Sequence, residues 1–371
     1  MLDFFCFVVY NKRMKKVRII IICFFIISVL SGCSLAGSTP NPTTTQKYTF
    51  AKNIWISTDA GKTWKDSSIA INKPSVTDID PLSLVFDPVD AKNIFTGLRT
   101  GGIMKSINSG ESWEFLTFKT EKIYGLAISP VDSKIIYAST VLNGRGKIFK
   151  NTASGATDAW SEIYTSATNG PLVVAMTLDK KNANIIYVAT SDNQVLKSLD
   201  GGVSWRSFFQ AQTPVIKIAL DAKDSKLIYL LTKSGEVFLS VDGGDKFESL
   251  TTKITTTGLF GSGFTVMETD PTNGKWIYLA GKNGIILSKD AGEKWETITT
   301  LNNPENSPVG ALAINPQNSQ EIMYGALQAI YRSADGGKTW STSQFDLTKT
   351  NSILEYNPQN PSIVVAGFSG K

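Results

Sequence analysis

The chain has 371 residues, 42% of them hydrophobic and 19% charged, which is the composition of a globular protein and excludes a disordered one. Its formal charge of +5 falls to +1 beyond Cys33, where 32 basic residues face 31 acidic ones, so charge gives no basis for binding nucleic acid. With no histidine, and no cysteine after residue 33, the body of the chain is predicted to hold no zinc site, no disulfide, and no other metal or cofactor.

The N-terminal segment has the features of an export signal. A basic stretch precedes an apolar run at residues 19–30, which is shorter than the roughly 20 residues of a membrane-spanning helix and fits the apolar region of a signal peptide. The run ends in LSGC, which resembles the bacterial lipobox. Residues 1–32 are therefore predicted to be a lipoprotein signal peptide, with translation starting at Met1 or Met14. A plain signal peptide or an anchor helix with a chance cysteine is the alternative.

Residues 33–50 are predicted to be a lipidated cysteine followed by a flexible tether, because the sequence after Cys33 is small, polar and proline-bearing. Diacylation of Cys33 would hold the protein stably at a membrane. The expected location is the outer face of the plasma membrane or the outer membrane.

Beyond the tether, one short pattern recurs seven times and ends in an aromatic residue. Successive aromatic residues are 42 to 49 positions apart. The third copy is degenerate, with Ala153 in the acidic position and two extra residues before its tryptophan. The copies are STDAGKTW, SINSGESW, NTASGATDAW, SLDGGVSW, SVDGGDKF, SKDAGEKW and SADGGKTW, ending at Trp64, Trp113, Trp160, Trp205, Phe247, Trp295 and Trp340.

Each copy follows a second recurring piece, in which two apolar runs flank a turn rich in Pro, Asp and Asn, as in LVFDPVDAKNIFTGL. This order predicts about four short strands per repeat, and seven such units are the signature of a propeller. Residues 51–371 are thus predicted to form an all-β, single seven-bladed β-propeller. Pairing of residues 362–368 with residues 53–57 is expected to close it and to remove exposed sheet edges.

The short pattern itself has a structural explanation. Asp and Asn side chains hydrogen-bond to the backbone and fix a turn, glycine supplies positive φ, and the aromatic residue buries a large surface, predicted to lie against the adjacent sheet. Structural roles are therefore predicted for Asp59, Trp64, Trp113, Asp200, Trp205, Asp242, Asp290, Trp295, Asp335 and Trp340.

The pattern S-x-D-x-G-x-T-W is similar to the bacterial neuraminidase repeat, or Asp box, which occurs in sialidases, xyloglucanases, sortilin-like receptors and photosystem II stability/assembly factor-like proteins. The chain most resembles the last group, which implies a single seven-bladed ring with an export signal. The resemblance also implies that the box aspartates lie on the outer part of each blade and are not catalytic. Authentic assembly factors carry an arginine-rich patch, whereas only four arginines follow Cys33 in this chain.

Two hydrolase chemistries are weighed against binding. Sialidases use three converging arginines, and here only Arg99 and Arg145 lie outside the outer strands. A glycosidase needs two carboxylates, for which Asp78 and Asp80 before an inner strand are candidates, although TDIDP is also an ordinary turn. The alternative function is thus a carbohydrate-active hydrolase that uses carboxylates in the central cleft. Two facing carboxylates would favour hydrolysis, and a mouth lined by Thr, Asn and Phe would favour binding.

The favoured function is not enzymatic: a membrane-tethered extracytoplasmic scaffold that recognises a protein or an envelope glycan through propeller loops. The richest loop is residues 251–264, with Phe260 and Phe264, of which one is as readily a core residue. The irregular segment 142–160 is either a partner patch or sequence drift. Further candidates at the same mouth are Lys122, Tyr124, Asn169, Thr213, Asn306 and Asn351.

Overall fold

The seven repeats fold into seven four-stranded antiparallel sheets, which are the blades of a β-propeller. The computed structural model describes residues 48–49, 51–72, 78–255, 258 and 263–370. The signal peptide, Cys33 and Phe260 lie outside these residues. The first four strands are β1 (Tyr48–Thr49), β2 (Ile54–Ser57), β3 (Lys65–Asp66) and β4 (Ile69–Ala70).

Six blades take their strands in chain order, from the innermost strand to the outermost. Blade 1 contains β5 (Pro81–Phe86), β6 (Ile94–Leu98), β7 (Ile103–Ser106) and β8 (Glu114–Phe115). Blade 2 contains β9 (Lys122–Ile128), β10 (Ile136–Leu142), β11 (Arg145–Asn151) and β12 (Trp160–Thr165). Blade 3 contains β13 (Val173–Leu178), β14 (Ile186–Thr190), β15 (Gln194–Ser198) and β16 (Arg206–Gln210).

The next three blades repeat this order. Blade 4 contains β17 (Val215–Leu220), β18 (Ile228–Thr232), β19 (Val237–Ser240) and β20 (Glu248–Ser249). Blade 5 contains β21 (Phe264–Thr269), β22 (Ile277–Gly281), β23 (Gly284–Ser288) and β24 (Glu296–Ile298). Blade 6 contains β25 (Val309–Asn315), β26 (Asn318–Ala326), β27 (Ala329–Ser333) and β28 (Ser341–Gln344).

Blade 7 combines strands from distant parts of the sequence. Its order is β29 (Thr350–Tyr356), β30 (Val364–Ser369), β2 and β3. Strands β2 and β30 are antiparallel, with Ile54 opposite Gly367 and Ser57 opposite Val364. Strand β29 also contacts β5, the first strand of blade 1.

Little of the described chain lies outside the blades. Strand β1 pairs with β4, so two residues assigned to the tether join the folded part and the predicted boundary at residue 51 is slightly late. A five-residue helix, α1 (Thr251–Thr255), and a 3-10 turn (Thr157–Ala159) interrupt the connections. Among the residues described, no helix is long and apolar enough to cross a bilayer.

The hydrophobic core is distributed around the ring, between neighbouring blades. The second strands β6, β14, β18 and β22 are buried over their whole length, because sheets pack against both of their faces. One cluster joins Leu231 of blade 4 to Met267 of blade 5, and another joins Tyr278 of blade 5 to Leu312 of blade 6. Each blade is therefore stabilised mainly by its two neighbours.

The Asp box is a turn held by its own serine and aspartate. The Ser333 hydroxyl donates to Asp335 Oδ1 (2.8 Å) and accepts from the backbone N–H of Gly337 (2.8 Å). Asp335 also accepts from the backbone N–H (2.9 Å) and the hydroxyl (2.6 Å) of Thr339. The same bonds recur in the copies that contain Asp59 and Asp200. The carboxylates are thus fully used in stabilising turns.

The last glycine of each box is required for two reasons, its positive φ and the lack of space for a side chain. Gly244 has φ of 99°, and a Cβ atom there would lie 1.7 Å from Cζ of Phe208 in the preceding blade. In the degenerate third box, Asn151 takes the place of the serine. Its side-chain oxygen accepts from the N–H groups of Ala153 (2.8 Å) and Gly155 (2.9 Å), so the turn survives without an aspartate.

The box aromatics pack against the preceding blade. The indole N–H of Trp205 donates to Ile163 in blade 2 (3.3 Å), and that of Trp340 donates to Thr299 beyond blade 5 (2.8 Å). Trp113, which is 0% exposed, donates to the hydroxyl of Ser67 beside blade 7 (3.0 Å). These contacts link neighbouring blades at their outer edges.

Candidate functional site: the central channel

The first strands of the seven blades surround a central channel. One cavity of about 450 Å³ is lined by all seven of these strands. A second, of about 410 Å³, is lined by the later part of the strands and by the turns that follow them. We call the end reached by the loops leading into the first strands the lead-in face, and the opposite end the Asp-box face.

Two glutamates line the channel at the junction of its two cavities. Glu268 on β21 and Glu355 on β29 line both cavities, so they lie where the two meet. Nζ of Lys217 on β17 is 2.6 Å from Oε1 of Glu268. Lys180 lies in the cavity toward the Asp-box face. Four charged side chains from four blades thus line a channel whose other walls contain both apolar and polar side chains.

The two glutamates have different electrostatic environments. Enclosure by the ring, which limits solvation, raises the pKa of Glu355 well above its usual value, and the neighbouring charge of Glu268 adds to this, whereas Lys217 opposes it. The side chain is open to water in the channel, although protein surrounds that water on all sides. Burial also lowers the pKa of Lys180, against the attraction of Asp221 and Glu268.

The sequence predictions missed all four channel charges, although the repeats contain a signal for each of them. Glu268 and Glu355 occupy the same position of the repeat, which holds only small or apolar residues in the other blades: Val85, Ala127, Thr177, Ala219 and Ala313. Lys180 stands where five blades have proline, and Lys217 stands where the other blades have Ser, Gly, Ala, Val or Ile. Aligning the first strands and searching for charged departures from the repeat would have identified these residues.

The predicted carboxylates Asp78 and Asp80 lie beside the channel at the lead-in face and are ion-paired. Nζ of Lys349 is 2.7 Å from Oδ2 of Asp78 and 3.7 Å from Oδ2 of Asp80. Nε of Arg99 is 3.5 Å from Oδ2 of Asp80, which is largely buried. Asn53 donates to the backbone carbonyl of Ile79 (2.5 Å). The group ties blade 7 to the strand that begins blade 1.

The predicted binding residues fall into different environments. Lys122 and Asn306 are exposed where the chain leads into β9 and β25, and half-buried Tyr124 lines the channel. Phe264 was wrongly expected to be exposed: it is 0% exposed and belongs to the core shared by blades 4 and 5. Asn351 is also buried, and its amide donates to Ile353 (3.0 Å) and Gly367 (3.2 Å).

The remaining candidates are loop residues with local roles, Asn169 exposed and Thr213 half-buried. Asn169 has a φ of 55°, and Thr213 forms a hydrogen bond with Ser234 (2.9 Å). The irregular segment includes a tight turn between β10 and β11, after which Arg145 donates to Thr168.

The arginines do not converge on one point. Arg99 pairs with Asp80, and Arg332 donates to the backbone carbonyl of Ala60 (2.7 Å) at the outer part of the ring. Arg206 begins the outermost strand of blade 3. This arrangement lacks the three-arginine cluster of a sialidase. Over the described ranges, no group of three or more His, Cys, Asp or Glu side chains is arranged to hold a metal ion.

Two family profiles match the sequence. The profile described as photosynthesis system II assembly factor YCF48 matches residues 207–352, and the BNR/Asp-box repeat profile matches residues 55–66. The chain is an Asp-box β-propeller. It resembles the photosystem II assembly factor YCF48 over residues 207–352.

Known proteins similar to this Asp-box propeller are of two kinds. The xyloglucanase Xgh74A of Acetivibrio thermocellus is 25% identical over 193 residues, which span 42% of this chain and 22% of that enzyme. The GH74 xyloglucanase structure from Xanthomonas campestris has a TM-score of 0.64 at 15% identity. The match covers 78% of this chain and 51% of the enzyme.

The second kind is represented by YCF48. The structure of YCF48 bound to D1 peptide has a TM-score of 0.58 at 14% identity, covering 79% of this chain and 94% of that one. YCF48 from Cyanidioschyzon merolae has a TM-score of 0.60 at 14% identity, covering 80% and 97%. At these identities the structural likenesses show the fold.

Proposed function

We propose that this protein is an extracytoplasmic binding scaffold that recognises a segment of a protein partner at the lead-in face of its propeller. The loops at this face differ in length and sequence from blade to blade, and such loops on a rigid scaffold commonly form binding surfaces. They surround the wider of the two channel cavities.

The main support for this proposal is that the carboxylates of Asp78 and Asp80 are ion-paired. A glycosidase needs one carboxyl group as an acid and a second, ionised one as a base or nucleophile, both facing an open cleft. Here Lys349 and Arg99 hold the two carboxylates beside the mouth of the channel. They therefore stabilise the loops of a binding face and are not free for chemistry.

The comparison with YCF48 supports a protein ligand. This chain spans nearly the whole of the YCF48 structure that holds a D1 peptide, whereas it spans half of the GH74 enzyme.

The proposed location is the outer side of a membrane, with a lipid on Cys33 as the anchor. The support for this is the basic stretch, the short apolar run and the LSGC sequence. Metabolic labelling with an alkyne fatty acid tests it. Labelling should be lost in Cys33→Ala, and labelling that persists in this variant would contradict the anchor.

Site-specific photo-cross-linking in cells tests the binding face. A benzophenone side chain at Lys122 or Asn306, both exposed at the lead-in face, should cross-link to a defined protein. Lys134 and Asn318 are matched controls, because each is an exposed residue of the same type and blade at the Asp-box face. Equal cross-linking from both faces, or none from the lead-in face, would contradict the proposal.

A carbohydrate-active hydrolase is the second candidate, favoured by the two channel glutamates. Their different environments are those expected for an acid and an ionised partner. Release of reducing ends from xyloglucan oligosaccharides would be measured for the wild type, Glu355→Gln and Glu268→Gln. A hydrolase should lose about 100-fold or more of its activity in each variant. Absence of wild-type activity would eliminate this candidate.

A further inference from the structure

Among the described residues, one channel carboxylate, that of Glu355, interacts with Lys217 only at a longer range than an ion pair. Lys217 is occupied by Glu268 at 2.6 Å. Lys180 lies toward the Asp-box face, where Asp221 and Glu268 attract it. Within the described part of the chain, the Glu355 carboxyl group has no hydrogen bond or ion pair, so its partner must be solvent or a ligand.

The surroundings of Glu355 suit the apolar part of a small ligand. The channel wall on the lead-in side includes Leu84, Val174, Met176, Ile216, Val266 and Leu312. The cavity volume of about 450 Å³ lies in the range of small-molecule sites, in which polar groups fix the orientation of the ligand. A ligand with an alkyl chain and one charged end matches this pattern.

We propose that the channel binds an alkylammonium or guanidinium group, with the Glu355 carboxylate as its counter-ion. The cation would reach Glu355 from the lead-in face, and its alkyl chain would pack on the apolar wall. Repulsion from Lys217 is offset by Glu268, because these two side chains form a neutral pair. Two kinds of molecule carry such a cation: a free amine, and a bound protein with a lysine or arginine side chain.

The charges around the site predict how binding depends on pH. Among the described residues, the ionisable groups that line the two cavities with Glu355 are Lys217, Glu268, Lys180, Tyr124 and Tyr356. An ammonium ion pairs with the ionised carboxylate, so binding to the protonated form releases one proton from Glu355 to solvent. Affinity should therefore rise with pH and level off once the free protein holds Glu355 ionised.

Calorimetric titration tests the site on the whole folded protein. At pH 8, n-butylammonium should bind at least about tenfold more tightly than n-butanol, which has the same chain without the charge. Glu355→Gln should remove this preference, whereas Glu305→Gln, at an exposed loop position, should keep it. Because the glutamine removes a poorly solvated charge, the variant should fold as well as the wild type, which its melting curve checks.

Two results would overturn the proposal. These are equal binding of butylammonium and butanol by the wild type, or unchanged butylammonium binding in a folded Glu355→Gln variant. A blocked tripeptide with a central lysine, compared with its norleucine analogue, identifies the source of the cation. A preference for the lysine peptide indicates a protein side chain, and binding of butylammonium alone indicates a free amine. The titration is independent of the cross-linking experiment, so either proposal can fail alone.

Discussion

The Asp-box layer and the channel wall come from the same seven repeats but use them in opposite ways. In the boxes, six of seven copies place serine and Asp or Asn at the same two positions. The third copy rebuilds the turn with Asn151 alone. On the channel wall, one repeat position holds a small or apolar residue in five blades and a glutamate in blades 5 and 7.

This difference separates stabilising from functional roles. A repeat position that holds the same residue type in the blades has the same structural role in each of them. Its charged groups are therefore already hydrogen-bonded, as Asp335 is. An irregular position carries a charge that the repeat does not require, and Glu355 forms no ion pair in the described chain. We expect changes in the Asp-box layer to alter stability, and changes at the channel glutamates to alter ligand binding and pH dependence.

The largest effect is expected from deleting residues 360–371, because β30 pairs with both β29 and β2. The deletion would expose two sheet edges that are prone to pair with other chains. We expect an aggregated or unfolded product, measured by size-exclusion chromatography and circular dichroism. A monomeric product with the melting curve of the intact protein would contradict this expectation.

Trp113→Ala should have the next largest effect. The substitution removes a fully buried indole and its hydrogen bond to Ser67, so the free energy of unfolding should fall by about 3–5 kcal/mol. Urea denaturation measures the change. Trp295→Ala is the control, since that indole is half-buried and donates within its own turn. A smaller loss for Trp113 than for Trp295 would show that burial between blades is not the decisive contribution.

Glu355→Gln should change how stability depends on pH. The pKa of Glu355 rises from 4.5 to about 8 on folding, so the folded state binds more protons than the unfolded state in this interval. The free energy of unfolding of the wild type should therefore decrease as pH rises through it. The variant should show a flatter profile in melting temperatures measured from pH 4.5 to 8.5. Identical profiles for the two proteins would disprove the raised pKa.

Asp335→Asn should give the smallest of these effects. The hydroxyl and backbone N–H of Thr339 and the hydroxyl of Ser333 lower the pKa of Asp335 from 3.8 to about 2. The ionised group thus contributes stability above pH 3.8, and this contribution is lost as pH falls toward 2. The melting temperature of the variant should be lower than that of the wild type at pH 5, and the difference should shrink by pH 2. A constant difference would mean that ionisation is unimportant.

Most of the fold was predictable because the same sequence pattern occurs seven times. Alternating apolar runs, turn residues and a closing aromatic define each blade locally, and a box at regular spacing defines the next. The structure confirms the seven blades; in it the box aspartates are hydrogen-bonded within turns and the box aromatics contact the preceding blade. Phe264 was misjudged because it follows a loop-like sequence with three glycines, although it is the first residue of β21.

The sequence by itself determined the secondary structure and the number of blades, since these depend on residues close together in the chain. Only the tertiary structure decided which charged residues meet. Lys217, Glu268 and Glu355 come from blades 4, 5 and 7 and are brought together because the first strands of all seven blades line the same channel. Whether a carboxylate is paired or free depends on such long-range contacts, and for that reason Glu355 could be recognised only in the closed ring.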